Sequence, residues 1–201
     1  MPATGHSPWR RGLLELPVLA LIALVVAFVL KTFVAQAFYI PSGSMEPQLH
    51  VGDRVIVSKL AYRLHEPRRG DIIVFPSPED TTVDDSPLPV RVVRGIFEGV
   101  GITKPTEEIL IKRVVGLPGE TVEGRGGHVY IDGRLLIEPY LPPGVTTDAF
   151  GPTTIPKGDL WVMGDNRGDS RDSRFIGPIT ESSVIGRAIA KVWPAGSTSF
   201  L

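Results

Sequence analysis

From Leu16 to Leu30 the chain carries no polar side chain, and from Leu13 to Leu30 the one exception is Glu15. A helix over Leu13 to Leu30 would extend about 27 Å at roughly 1.5 Å per residue, close to the hydrocarbon thickness of a bilayer. Pro17 falls in the first turns, where a missing backbone donor costs least. Arg10 and Arg11 precede the run and only Lys31 follows closely. That bias places the N-terminus in the cytoplasm and everything after Lys31 outside. Two other readings compete. Ala35-Gln36-Ala37 matches the A-x-A site of a cleavable secretory signal, and Arg10-Arg11 is a fragment of a twin-Arg export signal. The run is longer than a usual signal core, and Lys31 interrupts the approach to Ala37. The preferred reading is a retained single-pass anchor over 13–30, a cytoplasmic segment over 1–12 and an extracytoplasmic domain over 31–201.

The 201 residues allow one sizeable core, and the anchor accounts for much of the mean hydropathy of +0.12. With 42% hydrophobic and 21% charged residues, 22 Gly and 19 Pro, the chain is neither disordered nor an all-helical bundle, and turn-rich β structure is expected. A formal charge of -1 supplies no footprint for nucleic acid. The absence of cysteine removes disulfides, thiolate nucleophiles and Cys-based zinc sites. Strand-length runs rich in β-branched residues occur at Arg54–Val57, Asp71–Phe75, Ile109–Val115 and Leu160–Met163. Val129–Ile137 reads as a hairpin closed by Asp132-Gly133, the residues a type I′ turn favours. Pro76–Pro89 reads as a surface loop, Val90–Ile102 is open between helix and strand, and no internal repeat is present.

Three stretches could carry chemistry. Ile40-Pro41-Ser42-Gly43-Ser44-Met45-Glu46-Pro47 lies just beyond the apolar run. It is either a polar turn leaving the anchor or a nucleophilic hydroxyl on a tight turn, where Gly43 admits a substrate carbonyl. The nucleophile needs a base, and His6, His50, His65 and His128 share no motif that would make a triad. A lysine serves if burial lowers its pKa from about 10.4. Lys112 follows Ile109-Leu110-Ile111 and precedes Arg113-Val114-Val115, and strand alternation would turn one of the two basic residues inward. Met163–Arg174 is dense in Asp, Arg, Ser and turn formers. Its spacing does not fit an EF-hand, and it reads better as a charge-paired loop able to orient a lysine.

In this order, the three stretches resemble type I bacterial signal peptidases, Ser/Lys-dyad serine proteases. Ser42–Pro47 resembles the family's nucleophile box, Gly52–Val57 and Arg69–Phe75 the next two blocks, Lys112–Glu120 the lysine box and Gly164–Arg174 the acidic box. The resemblance implies a mainly β fold: an N-terminal transmembrane helix followed by a coiled antiparallel β-sheet catalytic domain, with 76–109 as a variable insertion. It implies Ser44 as nucleophile, Lys112 as general base and acid, Ser42 as oxyanion donor and Ser170 as the residue orienting Lys112. Asp165, Asp172 and Arg174 would hold the site together. Phe38, Ile40, Met45, Leu49, Leu110 and Ile111 would line pockets for small residues at -1 and -3 of the cleavage site. Signal peptides of exported pre-proteins and the lipid bilayer are the implied partners, with no nucleic acid, cofactor or metal. The enzyme would act as a monomer in a bacterial plasma membrane.

The sequence departs from the family at Gln48, where Thr is frequent, and at Gly168-Asp169, where Asp-Asn is frequent. Rival readings are a soluble Ser/Lys autoprotease of the repressor type, against which the apolar segment argues, and a membrane-tethered β-domain that binds without catalysis.

Overall fold

The computed structural model describes residues 8–29, 34–78 and 109–201. Helix α1 runs Pro8–Val29, starting before the expected anchor and passing through Pro17. Its apolar side chains from Leu16 to Val26 are exposed. Among the described residues no helix is long and apolar enough to cross a membrane. The undecided segment Val90–Ile102, and most of the expected insertion at 76–109, lie outside the described residues.

The remainder is mainly β. In chain order come β1 (Ala35–Tyr39), β2 (Arg54–Ser58), the short helix α2 (Ala61–Leu64), β3 (Ile72–Pro76) and β4 (Ile109–Gly116). Then follow β5 (Thr121–Arg125), β6 (His128–Ile131), β7 (Arg134–Leu135), β8 (Phe150–Thr154) and β9 (Asp159–Met163). Helix α3 (Ser173–Ile176), β10 (Ile179–Thr180), β11 (Gly186–Trp193) and β12 (Ser199–Phe200) complete the described chain. The larger sheet has the order β1-β2-β11-β3-β4-β9-β10, with β12 on β11, and the smaller has the order β7-β6-β5-β8. All pairings are antiparallel. The β6–β7 hairpin turns at Asp132-Gly133, both at positive φ, as the sequence predicts. Ala35-Gln36-Ala37, the A-x-A match, forms most of β1 and pairs with Ile56–Ser58 of β2.

The central strands are covered on both faces. On β3, Ile72 and Val74 join a cluster with Ile40, Met45, Leu49, Val55, Val57 and Ile111, while Ile73 and Phe75 join Val114, Leu160, Val162 and Ile179. A third cluster of Val115, Val122, Val129, Ile131, Ile155, Trp161 and Met163 joins the smaller sheet to the ends of β4 and β9. A strand buried on both faces reads as a continuous apolar run rather than an alternation. The expectation that only one of Lys112 and Arg113 turns inward is therefore corrected. β4 is buried on both faces from Ile111 to Gly116, so Lys112 and Arg113 are both buried.

Candidate active site

Ser44 lies in the turn joining β1 to β2. Met45 and Leu49, both fully buried, sit one turn apart and are joined by the bond from the Leu49 amide to the Met45 carbonyl (2.9 Å). Burying these two large side chains stabilises the turn by roughly 1.5–3 kcal/mol each and carries Ser44 inward with them. Ser44 is 6% exposed and Lys112, on β4, 2%. Lys112 Nζ lies 2.7 Å from Ser44 Oγ and donates to the Ile111 carbonyl at 3.0 Å. Ser42 is exposed, with its Oγ 3.4 Å from Ser44 Oγ.

The segment after β9 closes over this pair. The Asn166 amide donates to the Ser44 carbonyl and its Nδ2 to the Gly43 carbonyl, both at 3.1 Å. Asp165 accepts two bonds from Arg113, at 2.8 and 2.6 Å, and Arg113 also donates to the Gly70 carbonyl at 2.8 Å. Asp172 accepts from Arg174 Nε and Nη2 at 2.8 and 2.9 Å and from the Gly164 amide at 2.9 Å. The Ser173 hydroxyl accepts from the Val162 amide at 2.9 Å. Charges this deeply buried persist because each carboxylate meets an arginine in two-point geometry.

Ser170 Oγ is buried against Gly164, with no hydrogen-bond partner among the described residues, and Lys112 donates to the Ile111 carbonyl. Among the pocket candidates, Ile40, Met45, Leu49 and Ile111 share one core cluster and half-buried Phe38 packs on it. Leu110 packs instead with the cluster containing Ile73 and Phe75. Alternation along β4 accounts for the separation of Leu110 from Ile111.

The sequence reading did not select Arg113, Asn166, Arg167, Glu138, Thr147 or Tyr140. Arg167 donates from Nε to the Gly164 carbonyl at 3.0 Å, from Nη1 to Thr147 Oγ1 at 2.7 Å, and to both Glu138 carboxylate oxygens. Burial alone would lower the Arg167 pKa, but hydrogen bonding to Glu138 and its charge raise it above the ordinary value. Tyr140 donates to Glu138 at 2.6 Å, and its ring lies 4.1 Å from the Arg113 guanidinium carbon. Burial first, then the Glu138 charge and hydrogen bond, raise the Tyr140 phenol and keep it a donor. The signal for Asn166 and Arg167 was their place inside the charged loop. Nothing local marks Glu138. Among the described residues, no cluster of His, Asp or Glu could hold a metal ion.

Residues 13–193 match the family described as signal peptidase, peptidase S26. This chain belongs to that family. It is a signal peptidase of the serine hydrolase class. The probable signal peptidase I of Mycobacterium leprae is 39% identical, the match covering 92% of this chain and 78% of the relative. The signal peptidase I of Mycobacterium tuberculosis is 40% identical over 92% of this chain and 74% of its own length. A crystal structure of a signal peptidase I from Enterococcus faecalis V583 is 31% identical, with a TM-score of 0.43, covering 61% of this chain and 97% of that one.

Proposed function

We propose that this signal peptidase cleaves signal peptides from exported pre-proteins with Ser44 as nucleophile and Lys112 as general base. The observation that carries the reading is the 2.7 Å approach of Lys112 Nζ to Ser44 Oγ in a site where both are buried. Ser44 Oγ bonds to the scissile carbonyl carbon while its proton passes to the neutral Lys112 amine. The resulting ammonium returns that proton to the departing amide nitrogen as the C–N bond breaks. Water then attacks the acyl-enzyme, giving its proton to Lys112, and Ser44 Oγ regains one as the ester bond breaks. The Ser44 amide and the Ser42 hydroxyl donate to the developing oxyanion. Ser170, Asp165, Asp172 and Arg174 serve as support: the two ion pairs fix the loop, within which Ser170 packs against Gly164.

The substrate is an extended segment adding to a strand edge, with small residues at -1 and -3. Phe38, Ile40, Met45, Leu49 and Ile111 shape the subsites, the deeply buried ones as their floor, while Leu110 packs with the separate cluster of Ile73 and Phe75. Residues 13–30 anchor the enzyme in a bacterial plasma membrane, with 1–12 cytoplasmic and 31–201 outside, acting as a monomer. The ring of exposed apolar side chains on α1 supports this placement.

The test is a panel of pre-proteins varied at -1 and -3, incubated with the full chain in vesicles and with Ser44→Ala. Cleavage after Ala at -1, lost with bulky residues there and lost in Ser44→Ala, is expected. Cleavage indifferent to both positions would overturn the specificity, and activity surviving in Ser44→Ala would overturn the nucleophile.

A further inference from the structure

The Met163–Asp172 segment is gripped from two sides. On its inner side, Asn166 holds the Ser44 and Gly43 carbonyls. On its outer side lies the strap between β7 and β8, which contains none of the residues that point to the dyad. From this strap Glu138 and Thr147 meet Arg167, and Tyr140 covers Arg113. Arg167 and Glu138 side chains are 1% and 9% exposed, so the pair is shielded from solvent screening. The Glu138 carboxylate accepts from both terminal nitrogens of Arg167 and from Tyr140. This leaves the Arg167 fork one orientation, the one in which Nε reaches the Gly164 carbonyl. Gly164 in turn touches Ser44 closely: a Cβ built there would stand 2.4 Å from the Ser44 carbonyl oxygen. The route from Glu138 to Ser44 therefore consists of directional bonds and one tight backbone contact.

We propose that Glu138 is a positioning residue for the reaction, fixing Ser44 against Lys112 through Arg167, Gly164 and Asn166. The inference rests on the Ser44–Lys112 reading. Its physical basis is the asymmetry of a buried pair: once Glu138 is neutral, Arg167 keeps a buried charge and must seek another acceptor. The loop carrying Gly164 and Asn166 moves with it. Reactions of positioned groups are steep in distance, a displacement of about 1 Å costing on the order of 100-fold. A fraction of that shift at Ser44 predicts a roughly 10-fold loss.

The experiment measures kcat and KM of the full chain on a pre-protein substrate for Glu138→Gln, Thr147→Val, Asn166→Ala and Glu138→Gln/Asn166→Ala. Active sites are titrated with an acylating inhibitor, and Ser44→Ala and Lys112→Ala run alongside. Expected is a kcat per titrated site about 10-fold lower in Glu138→Gln, with KM within about twofold. The loss should shrink when Asn166 is already Ala, since sites acting through one element are not additive. If Glu138→Gln does not fold, Thr147→Val reads the same route and should lower kcat by a few-fold. A purely structural role would lower the fraction of titratable sites and leave kcat per site at the wild-type value, and that result overturns the proposal. Full additivity with Asn166→Ala would also overturn it. Should Ser44→Ala or Lys112→Ala retain turnover, it is the dyad reading that fails instead.

Discussion

Gly164→Ala tests how tightly the acidic loop is seated on Ser44, the proposed nucleophile. The added Cβ would lie 2.2 Å from Ser170 Oγ, 2.6 Å from Ser170 Cβ and 2.4 Å from the Ser44 carbonyl oxygen. Ordinary contact at such a carbon begins near 3.4 Å, so the Ser44 backbone and Gly164 must separate by about 1 Å. Side-chain rotation can relieve the clash with Ser170 Oγ but not the one with backbone. Overpacking of this kind costs about 1–3 kcal/mol of stability. The larger consequence is catalytic, because a shift of about 1 Å between reacting groups lowers turnover on the order of 100-fold. Gly168, in the same loop and with open space of 4 Å around the position a Cβ would take, is the control. Gly168→Ala should keep wild-type turnover and gain about 0.4–1 kcal/mol through a less flexible unfolded chain. The assay is kcat per titrated active site on a pre-protein, with urea unfolding on the same samples. Wild-type kcat in a folded Gly164→Ala protein would refute the claim that this contact sets the position of Ser44.

Other expectations follow from the same geometry. Ser42→Ala should lower kcat by about 100- to 1000-fold without changing the unfolding midpoint, since Ser42 is exposed and its proposed role is donation to the oxyanion; steady-state kinetics beside thermal unfolding separates the two effects. Asp165→Asn leaves the Arg113 charge buried without its carboxylate and should cost about 3–5 kcal/mol, read from urea titration. The raised phenol of Tyr140 gives an alkaline signature. The folded state holds its proton more tightly than the unfolded chain, so this stabilisation is complete below the ordinary value near 10 and declines as pH rises past it. Urea midpoints measured from pH 9 to 11 should fall less steeply in Tyr140→Phe than in the wild-type protein.

Local sequence pattern located the strands whose residues are β-branched on successive positions, as at β3 and β4. It did not order them. The larger sheet places β11 between β2 and β3, a neighbour drawn from more than a hundred residues away, and no local period encodes that pairing. β1 was hidden because Ala35-Gln36-Ala37 carries little strand propensity and gains its structure from β2. For the site, Ser44, Lys112 and the charged loop were legible as motifs, because reactive chemistry restricts residue types at short spacing. Asp165 was legible but its partner Arg113 was not, since the alternation rule assumes one solvated face and β4 has none. Glu138 lies 29 residues from Arg167, and only the folded strap makes them a pair. Ser170 was legible only through its place in the motif, and the burial of its hydroxyl against Gly164 emerges only in the folded loop.

The central claim is that Ser44 and Lys112 act as one unit, and the most direct measurement is turnover of Ser44→Ala, Lys112→Ala and the double variant on one pre-protein. Groups that act together lose nearly everything on the first removal, so the account predicts three equal residual rates, with folding intact in each. A Lys112→Ala enzyme that still cleaves at a rate near wild type, or a double variant far slower than either single one, would contradict it.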